Sequence, residues 1–189
     1  PEEFTGGLGP KGAEALQKFV DDGGRIVFLN HSTEYASRFP GVKAKNVLDG
    51  VSSREFYCPG SLLNVTLDKR SPLAYGLPET ITILSERSPA WSAEGTVARY
   101  PDSGVLASGW LLGEKYLTGK AALLDLPVGH GRIILFGMRP QYRAQSYQTF
   151  KLLFNALLYS PEPQPRGSGQ RLVRSRIQMV FQDPYTSLN

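Results

Sequence analysis

A proline- and glycine-rich stretch near the end of this sequence, Ser160–Gly169, limits what the chain can fold into. It contains three prolines followed by two glycines, and neither a helix nor an inner strand continues through such a run. The sequence therefore predicts one domain over residues 1–160, a linker over residues 161–169 and a separate tail over residues 170–189. A domain of about 160 residues buries roughly two-thirds of its unfolded surface, which suits one hydrophobic core.

The beginning of the body has the pattern of half an α/β repeat. Apolar residues recur at helical spacing over Gly12–Asp22, and two glycines then end the predicted helix. The next segment, Arg25–Asn30, is an apolar run that is too short for a helix and predicts a buried strand. A short second helix is expected to run to Arg38, with Ser32 or Thr33 as its N-cap.

Short apolar or alternating segments follow from Leu48 onward, and proline and glycine separate them. This pattern predicts strands, several of them antiparallel, and a final helix, Ser146–Tyr159, whose apolar residues face the sheet. The expected strands are Leu62–Leu67, Ile81–Leu84, Val97–Tyr100, Val105–Trp110, Ala121–Leu126 and Arg132–Gly137. The last two are expected to form a hairpin, because a short glycine-containing loop, Val128-Gly129-His130, joins them.

The charge distribution argues against a nucleic-acid partner. Residues 161–189 hold four arginines against Glu162 and Asp183, which leaves 17 basic and 15 acidic residues in the body. A body with this balance lacks the basic surface that contacts to phosphate require.

A membrane span and a metal site are also not expected. No apolar run approaches the ~20 residues that cross a bilayer, and Pro1-Glu2-Glu3 does not resemble a signal peptide. Cys58, His31 and His130 are the only cysteine and histidines, too few for a four-ligand zinc site of the usual kind. A chain that starts on proline is expected to be part of a longer protein.

Several motifs occur in a fixed order along the body. They are Phe4–Gly9 with Phe19–Gly24, Phe56–Ser61, Ser108–Glu114, Gly131–Gly137, Arg139–Arg143 and Leu152–Leu157. In this order they resemble the C-terminal domain of bacterial zinc carboxypeptidases of the carboxypeptidase A type. The resemblance implies an α/β fold of the flavodoxin type, described as class I glutamine amidotransferase-like and truncated here at its front. It also implies a parent protein in which a separate peptidase domain, missing here, holds the zinc.

The resemblance implies where catalytic residues would lie, and both positions lack them. Active amidotransferase-like folds carry a cysteine on the tight elbow after the strand that Arg25–Asn30 resembles, and a histidine after a late strand. Here the elbow reads Asn30-His31-Ser32, and the late strand leads into Met138–Gln141. Cys58 lies well past the elbow and is expected to be a small buried residue. No catalytic residue and no cofactor is therefore expected in this chain.

Two polar groups remain as candidate contacts with a ligand or another domain. His31, Ser32 and Glu34 follow the first strand, where α/β folds place ligands. Side chains adjacent in sequence seldom point at one another, so a ligand contact is favoured over catalysis. Arg139 and Arg143 follow the last strand and are expected to hold a carboxylate or another domain, with the interdomain contact preferred.

The tail resembles a different class of protein. Arg174–Asn189 is similar to the Q-loop region of the ABC transporter ATPases that power oligopeptide import. In that family the glutamine that matches Gln182 reaches toward the metal and the attacking water. No G-x-x-x-x-G-K-[ST] phosphate loop precedes it, so Gln182 is expected to be vestigial. A gene fusion or an assembly artefact would join the two parts, and the tail would then either add a strand to a sheet edge or be disordered.

These features predict a non-catalytic accessory domain of a secreted or periplasmic zinc carboxypeptidase, with the missing peptidase domain as its partner. Two alternatives stay open, a hydrolase that uses the region of His31 and a fragment of an ATP-binding peptide transporter. Loss of the front strands would leave apolar sheet surface uncovered, so marginal stability and self-association are also expected.

Overall fold

The computed structural model describes residues 8–158 and the strand formed by residues 177–180. Within these residues, ten strands and two α-helices form a mixed α/β domain, which confirms the predicted fold class at that level. The α-helices are α1 (Gly9–Asp21) and α2 (Tyr147–Leu158), and short 3-10 helices cover Asn30–Arg38, Pro72–Ala74, Glu114–Tyr116 and Tyr142–Ala144. The strands are β1 (Arg25–Leu29), β2 (Lys45–Asn46), β3 (Ser61–Leu67), β4 (Thr80–Ser85), β5 (Trp91–Ser92), β6 (Thr96–Arg99), β7 (Leu106–Ser108), β8 (Ala121–Val128), β9 (Gly131–Phe136) and β10 (Ile177–Val180).

The strands form one mixed sheet with the order β10-β1-β9-β8-β6-β3-β4. The strand β1 lies between β10 and β9 and is parallel to both. From β9 to β4 each neighbouring pair is antiparallel. Three short strands extend the sheet: β7 pairs with β3, β5 pairs with β8, and β2 pairs with β5. The sheet therefore combines a small parallel part with a larger antiparallel part.

Helices cover the parallel part of the sheet on both faces. On one face, Leu16 and Val20 of α1 pack on Ile26 and Phe28 of β1. On the other face, α2 packs Leu152, Leu153 and Ala156 into the layer that contains Val27 and Leu29 of β1. All five residues of β1 are buried as a result, which explains the continuous apolar run Ile26–Leu29 in the sequence.

The predicted hairpin is confirmed. Strands β8 and β9 pair antiparallel from Leu123 opposite Phe136 to Val128 opposite Gly131. Only Gly129 and His130 connect them, and Gly129 has a φ of 57°, which a glycine adopts without strain.

The prediction for the last helix is right in extent and partly right in the face that it buries, since Leu153 is buried and Leu157 packs against the core. Phe154 and Leu158 were expected on the sheet, but they are 55% and 71% exposed. The buried face instead includes Thr149, whose hydroxyl donates to the Pro140 carbonyl at 2.7 Å. A buried hydroxyl of this kind is invisible to an apolar pattern, and here it helps to set the rotation of the helix.

The tail contributes one strand to this sheet. Ile177–Val180 runs parallel to β1 at the edge of the sheet, so for these four residues the edge-strand alternative is the one observed. The linker 161–169 and Gln182 lie outside the described residues. Among the helices that the structure describes, none is long and apolar enough to cross a membrane.

Candidate functional site

The carboxyl ends of the two neighbouring parallel strands meet at one edge of the sheet. The last register pair of β1 and β9 is Leu29 with Phe136, so Asn30 and Gly137 continue the chain at the same level. Ligands of α/β folds commonly bind beyond such strand ends, which makes this edge the first place to look for a site.

Asn30 stands at the elbow between β1 and the 3-10 helix that follows. Its φ is 48°, in the left-handed region that asparagine tolerates better than most residues. The residue is fully buried, and neither atom of its carboxamide has a hydrogen-bond partner in the part of the chain that the structure describes. An unsatisfied buried amide costs about 1–3 kcal/mol, so Asn30 combines a tight turn with a local free-energy cost.

The Ser32 hydroxyl satisfies both backbone hydrogen-bonding groups of Leu29, the last residue of β1. It accepts a hydrogen bond from the Leu29 N–H and donates one to the Leu29 carbonyl, both at 2.8 Å. Ser32 or Thr33 was expected to be the N-cap of the following helix, but the N-cap is Leu29, and Ser32 is the third residue of a 3-10 helix that starts at Asn30. Its hydroxyl caps the strand end because the helix begins earlier than predicted.

His31 and Glu34 form a loose surface pair. His31 Nδ1 lies 4.0 Å from Glu34 Oε1, and the two side chains are 36% and 78% exposed. A pair at this distance and exposure contributes little to stability. Since the Ser32 hydroxyl donates to a backbone carbonyl, the structure does not bring Ser32 and His31 together as a nucleophile and a base.

The guanidinium groups of Arg139 and Arg143 both lie over the aromatic ring of Tyr142. Each guanidinium carbon is 5.1 Å from the centre of the Tyr142 ring, within the range of a cation–π contact. Arg139 Nη1 also lies 3.0 Å from Glu86 Oε2, and its side chain is only 12% exposed. The Arg139 side chain is therefore engaged in contacts within the domain. The Arg143 side chain is exposed and could contact a partner.

The backbone that carries this cluster is unusual. Arg143 and Ala144 have φ values of 49° and 52°, and L-residues in succession rarely adopt the left-handed region. The strained turn lies between Pro140 and the start of α2, where the Ser146 hydroxyl donates to the Thr82 carbonyl. Backbone strain of this kind clusters at functional sites in proteins.

Cys58 is a buried structural residue, as expected. Only 2% of it is exposed, and its thiol donates to the Ser85 carbonyl at 3.3 Å. Burial in the same region raises the pKa of Tyr100 well above its ordinary value, so this interior favours neutral groups.

The described residues do not offer a set of ligands that suits a zinc ion. No three His, Cys, Asp or Glu side chains come together in residues 8–158 in a way that could hold a metal ion. His130 lies in the β8–β9 turn, where its Nδ1 is 2.9 Å from the Asp21 carbonyl oxygen.

A groove of about 640 Å³ lies away from this edge, beside the ends of β3 and β6. Asp68, Arg70, Glu94 and Arg99 supply its charges. Arg70 binds Asp68 with two hydrogen bonds of 2.9 Å, and the Arg99 guanidinium donates to the Gly119 carbonyl. Three of the four charged groups are thus engaged within the domain, and the groove shows no arrangement of an acid, a base and a nucleophile.

Two residues of these clusters, Asn30 and Glu86, were not predicted as site residues from the sequence. Asn30 could have been found, because an asparagine directly after a buried strand is a signal for a left-handed turn. Glu86 could not have been found, since its contact with Arg139 joins segments that are distant in the chain and has no local pattern.

Comparisons with known proteins add little to this picture. No protein-family model and no curated protein matches the sequence. Among solved structures, a beta-galactosidase from Bacillus circulans sp. alkalophilus is similar, with a TM-score of 0.47 and 16% identity. The alignment covers 78% of this chain and 20% of that enzyme, and a likeness of this size carries no argument about function.

Proposed function

We propose that residues 1–160 form a non-catalytic accessory domain of a secreted or periplasmic zinc carboxypeptidase. Its fold is proposed to be a truncated, flavodoxin-like domain of the class I glutamine amidotransferase-like type. The partner is the peptidase domain of the parent protein, and zinc belongs to that domain. The tail, residues 170–189, is a non-functional fragment of an ABC transporter ATPase.

One observation carries the proposal: a carboxamide stands where a nucleophile would be needed. The Asn30 backbone has the left-handed conformation that a tight strand-to-helix elbow requires, but an amide side chain cannot act as the thiolate or alkoxide of covalent catalysis. The nearby Ser32 hydroxyl is bound to the Leu29 backbone. The elbow therefore has the shape of an active site without its chemistry.

The parallel arrangement around β1 supports the proposed fold without establishing it. Within residues 8–158, the parallel pairing of β1 with β9, a helix on each face of the sheet and a tight turn after β1 are features that flavodoxin-like domains share. The antiparallel strands β3 to β8 are then additions to that core.

Assays on the purified full chain test the absence of catalysis. We expect no hydrolysis of C-terminal peptide bonds, esters or glutamine, with or without added Zn²⁺, and no binding of magnesium-ATP in isothermal titration. Turnover that is lost in His31→Ala and kept in the surface control His130→Ala would favour the hydrolase alternative. Saturable ATP binding at micromolar concentration would favour the transporter alternative.

A binding experiment tests the accessory role. We expect the full chain to bind, with micromolar affinity, the isolated catalytic domain of a bacterial zinc carboxypeptidase that has lost its own C-terminal domain. Arg143→Glu should weaken this binding, because Arg143 is the exposed cation of the strained turn. Arg54→Glu makes the same charge change at an exposed arginine elsewhere and should have no effect. Absence of binding by the wild-type chain would contradict the proposal.

A further inference from the structure

The β1 strand has one edge that faces β9 and one that faces β10. The Gly24 carbonyl accepts a hydrogen bond from the Arg132 N–H of β9 at 3.1 Å. Backbone groups alternate in direction along a strand, so those of Ile26 and Phe28 also face β9. The backbone groups of Arg25, Val27 and Leu29 then face the opposite edge.

Leu29 and Val27 find their backbone partners on this second edge in different ways. Leu29 needs no strand partner, because the Ser32 hydroxyl satisfies both its N–H and its carbonyl. The N–H and carbonyl of Val27 point toward β10 instead, and Val27 is completely buried with β10 in place. Buried backbone groups are nearly always paired in folded proteins, and the parallel register assigns this pairing to β10.

We propose that the outer edge of β1 is a binding site for a short extended peptide segment in parallel orientation, and that the tail strand Ile177–Val180 occupies it in this chain. The register places Ile177 opposite Arg25 and Met179 opposite Val27. In a parallel ladder a residue bonds to the two neighbours of its register partner. Gln178 therefore lies between the backbone groups of Arg25 and Val27 and directs its own N–H and carbonyl at β1.

The outer edge of β1 recognises the backbone of the added strand more than the side chains of that strand. An edge strand contributes main-chain hydrogen bonds on one side only, which is the mode of recognition called β-augmentation. This explains how a segment that resembles an unrelated ATPase can complete the sheet of another domain. It goes beyond the accessory function proposed above, and it does not depend on that function.

Proline substitutions at two adjacent positions test the proposal in the full chain. Gln178→Pro removes the N–H that faces β1, whereas Met179→Pro removes one that faces away, where proline is tolerated on an edge strand. We expect Gln178→Pro to speed hydrogen exchange of the Val27 amide by ~10-fold or more, with Ile26 and Phe28 still protected by β9. Met179→Pro should leave all three amides protected.

A peptide added in trans tests whether the edge binds a strand. A synthetic peptide of residues 174–183 should restore protection of the Val27 amide in the Gln178→Pro protein, and the same peptide with the proline should not. Equal exchange at Val27 in the wild type and in both variants would overturn the proposal. Equal loss of protection at Ile26, Val27 and Phe28, or failure of the wild-type peptide to restore protection, would also overturn it.

Discussion

Arg139 Nη1 lies 3.0 Å from Glu86 Oε2, and this contact joins the end of β9 to the end of β4. The Arg139 side chain is 12% exposed and that of Glu86 is 35% exposed, so the pair is partly shielded from water. We expect Arg139→Met to lower the free energy of unfolding by about 1–2 kcal/mol, because the Glu86 carboxylate loses its charged partner. Urea unfolding followed by circular dichroism measures this change.

The control for that prediction is Arg54→Met, which makes the same substitution at an exposed arginine. It should change the free energy of unfolding by less than about 0.5 kcal/mol. Combining Arg139→Met with Glu86→Gln should cost less than the sum of the single changes. Strict additivity would show that the two side chains do not interact in solution.

Asn30→Gly is expected to stabilise the protein by on the order of 1 kcal/mol. Glycine adopts a φ of 48° without strain, and the substitution removes a buried amide whose burial costs about 1–3 kcal/mol. The greater freedom of glycine in the unfolded chain offsets roughly 0.5–1 kcal/mol of that gain. The free energy of unfolding in urea is again the measurement.

The matched variant is Asn30→Ala, which removes the same amide but keeps a Cβ at a positive φ. It should be less stable than Asn30→Gly by about 1 kcal/mol. If Asn30→Gly proved less stable than the wild type, the carboxamide would have to gain a partner in solution.

A third prediction concerns the loop that presents the exposed Trp110. Gly113 has a φ of 79°, and a Cβ at this position would overlap with the Glu55 carbonyl oxygen. Gly104 has a φ of 69° but open space around it. Gly104→Ala should cost about 1 kcal/mol for the backbone alone, whereas Gly113→Ala should cost about 1–3 kcal/mol more because the backbone must shift. Thermal unfolding compares the two variants, and equal melting temperatures would contradict the prediction.

The parts of the fold that local patterns determine could be predicted from the sequence. β1 is a continuous apolar run between two helices, and the β8–β9 hairpin has a two-residue turn with Gly129 in a left-handed conformation. The rotation of α2 could not be predicted, because a single buried hydroxyl, that of Thr149, takes part in fixing it. Sequence periodicity records apolar area and not hydrogen bonds that form only in the folded chain.

The candidate site was predictable in position but not in its contacts. The segments after β1 and β9 were both identified, and the structure places Arg139 and Arg143 on one ring, that of Tyr142. The partners of His31 and Ser32 depend on where the 3-10 helix begins, and a difference of three residues, from the predicted N-cap Ser32 to the observed N-cap Leu29, changed the role of the Ser32 hydroxyl. Such small shifts in a helix boundary lie below what sequence patterns define.

The last prediction concerns pH and the pair formed by Asp68 and Arg70. Hydrogen bonds from Arg70 lower the pKa of Asp68 from its ordinary value of 3.8 to about 2. Because the folded carboxyl binds its proton less tightly than the unfolded one, the contribution of the pair is present above pH ~4 and is lost as the pH falls toward ~2. Arg70→Gln should therefore return the Asp68 pKa toward 3.8, measured from the carboxyl carbon shift by NMR. Arg54→Gln should leave it unchanged, and an Asp68 that titrates near 3.8 in the wild type would refute the pairing.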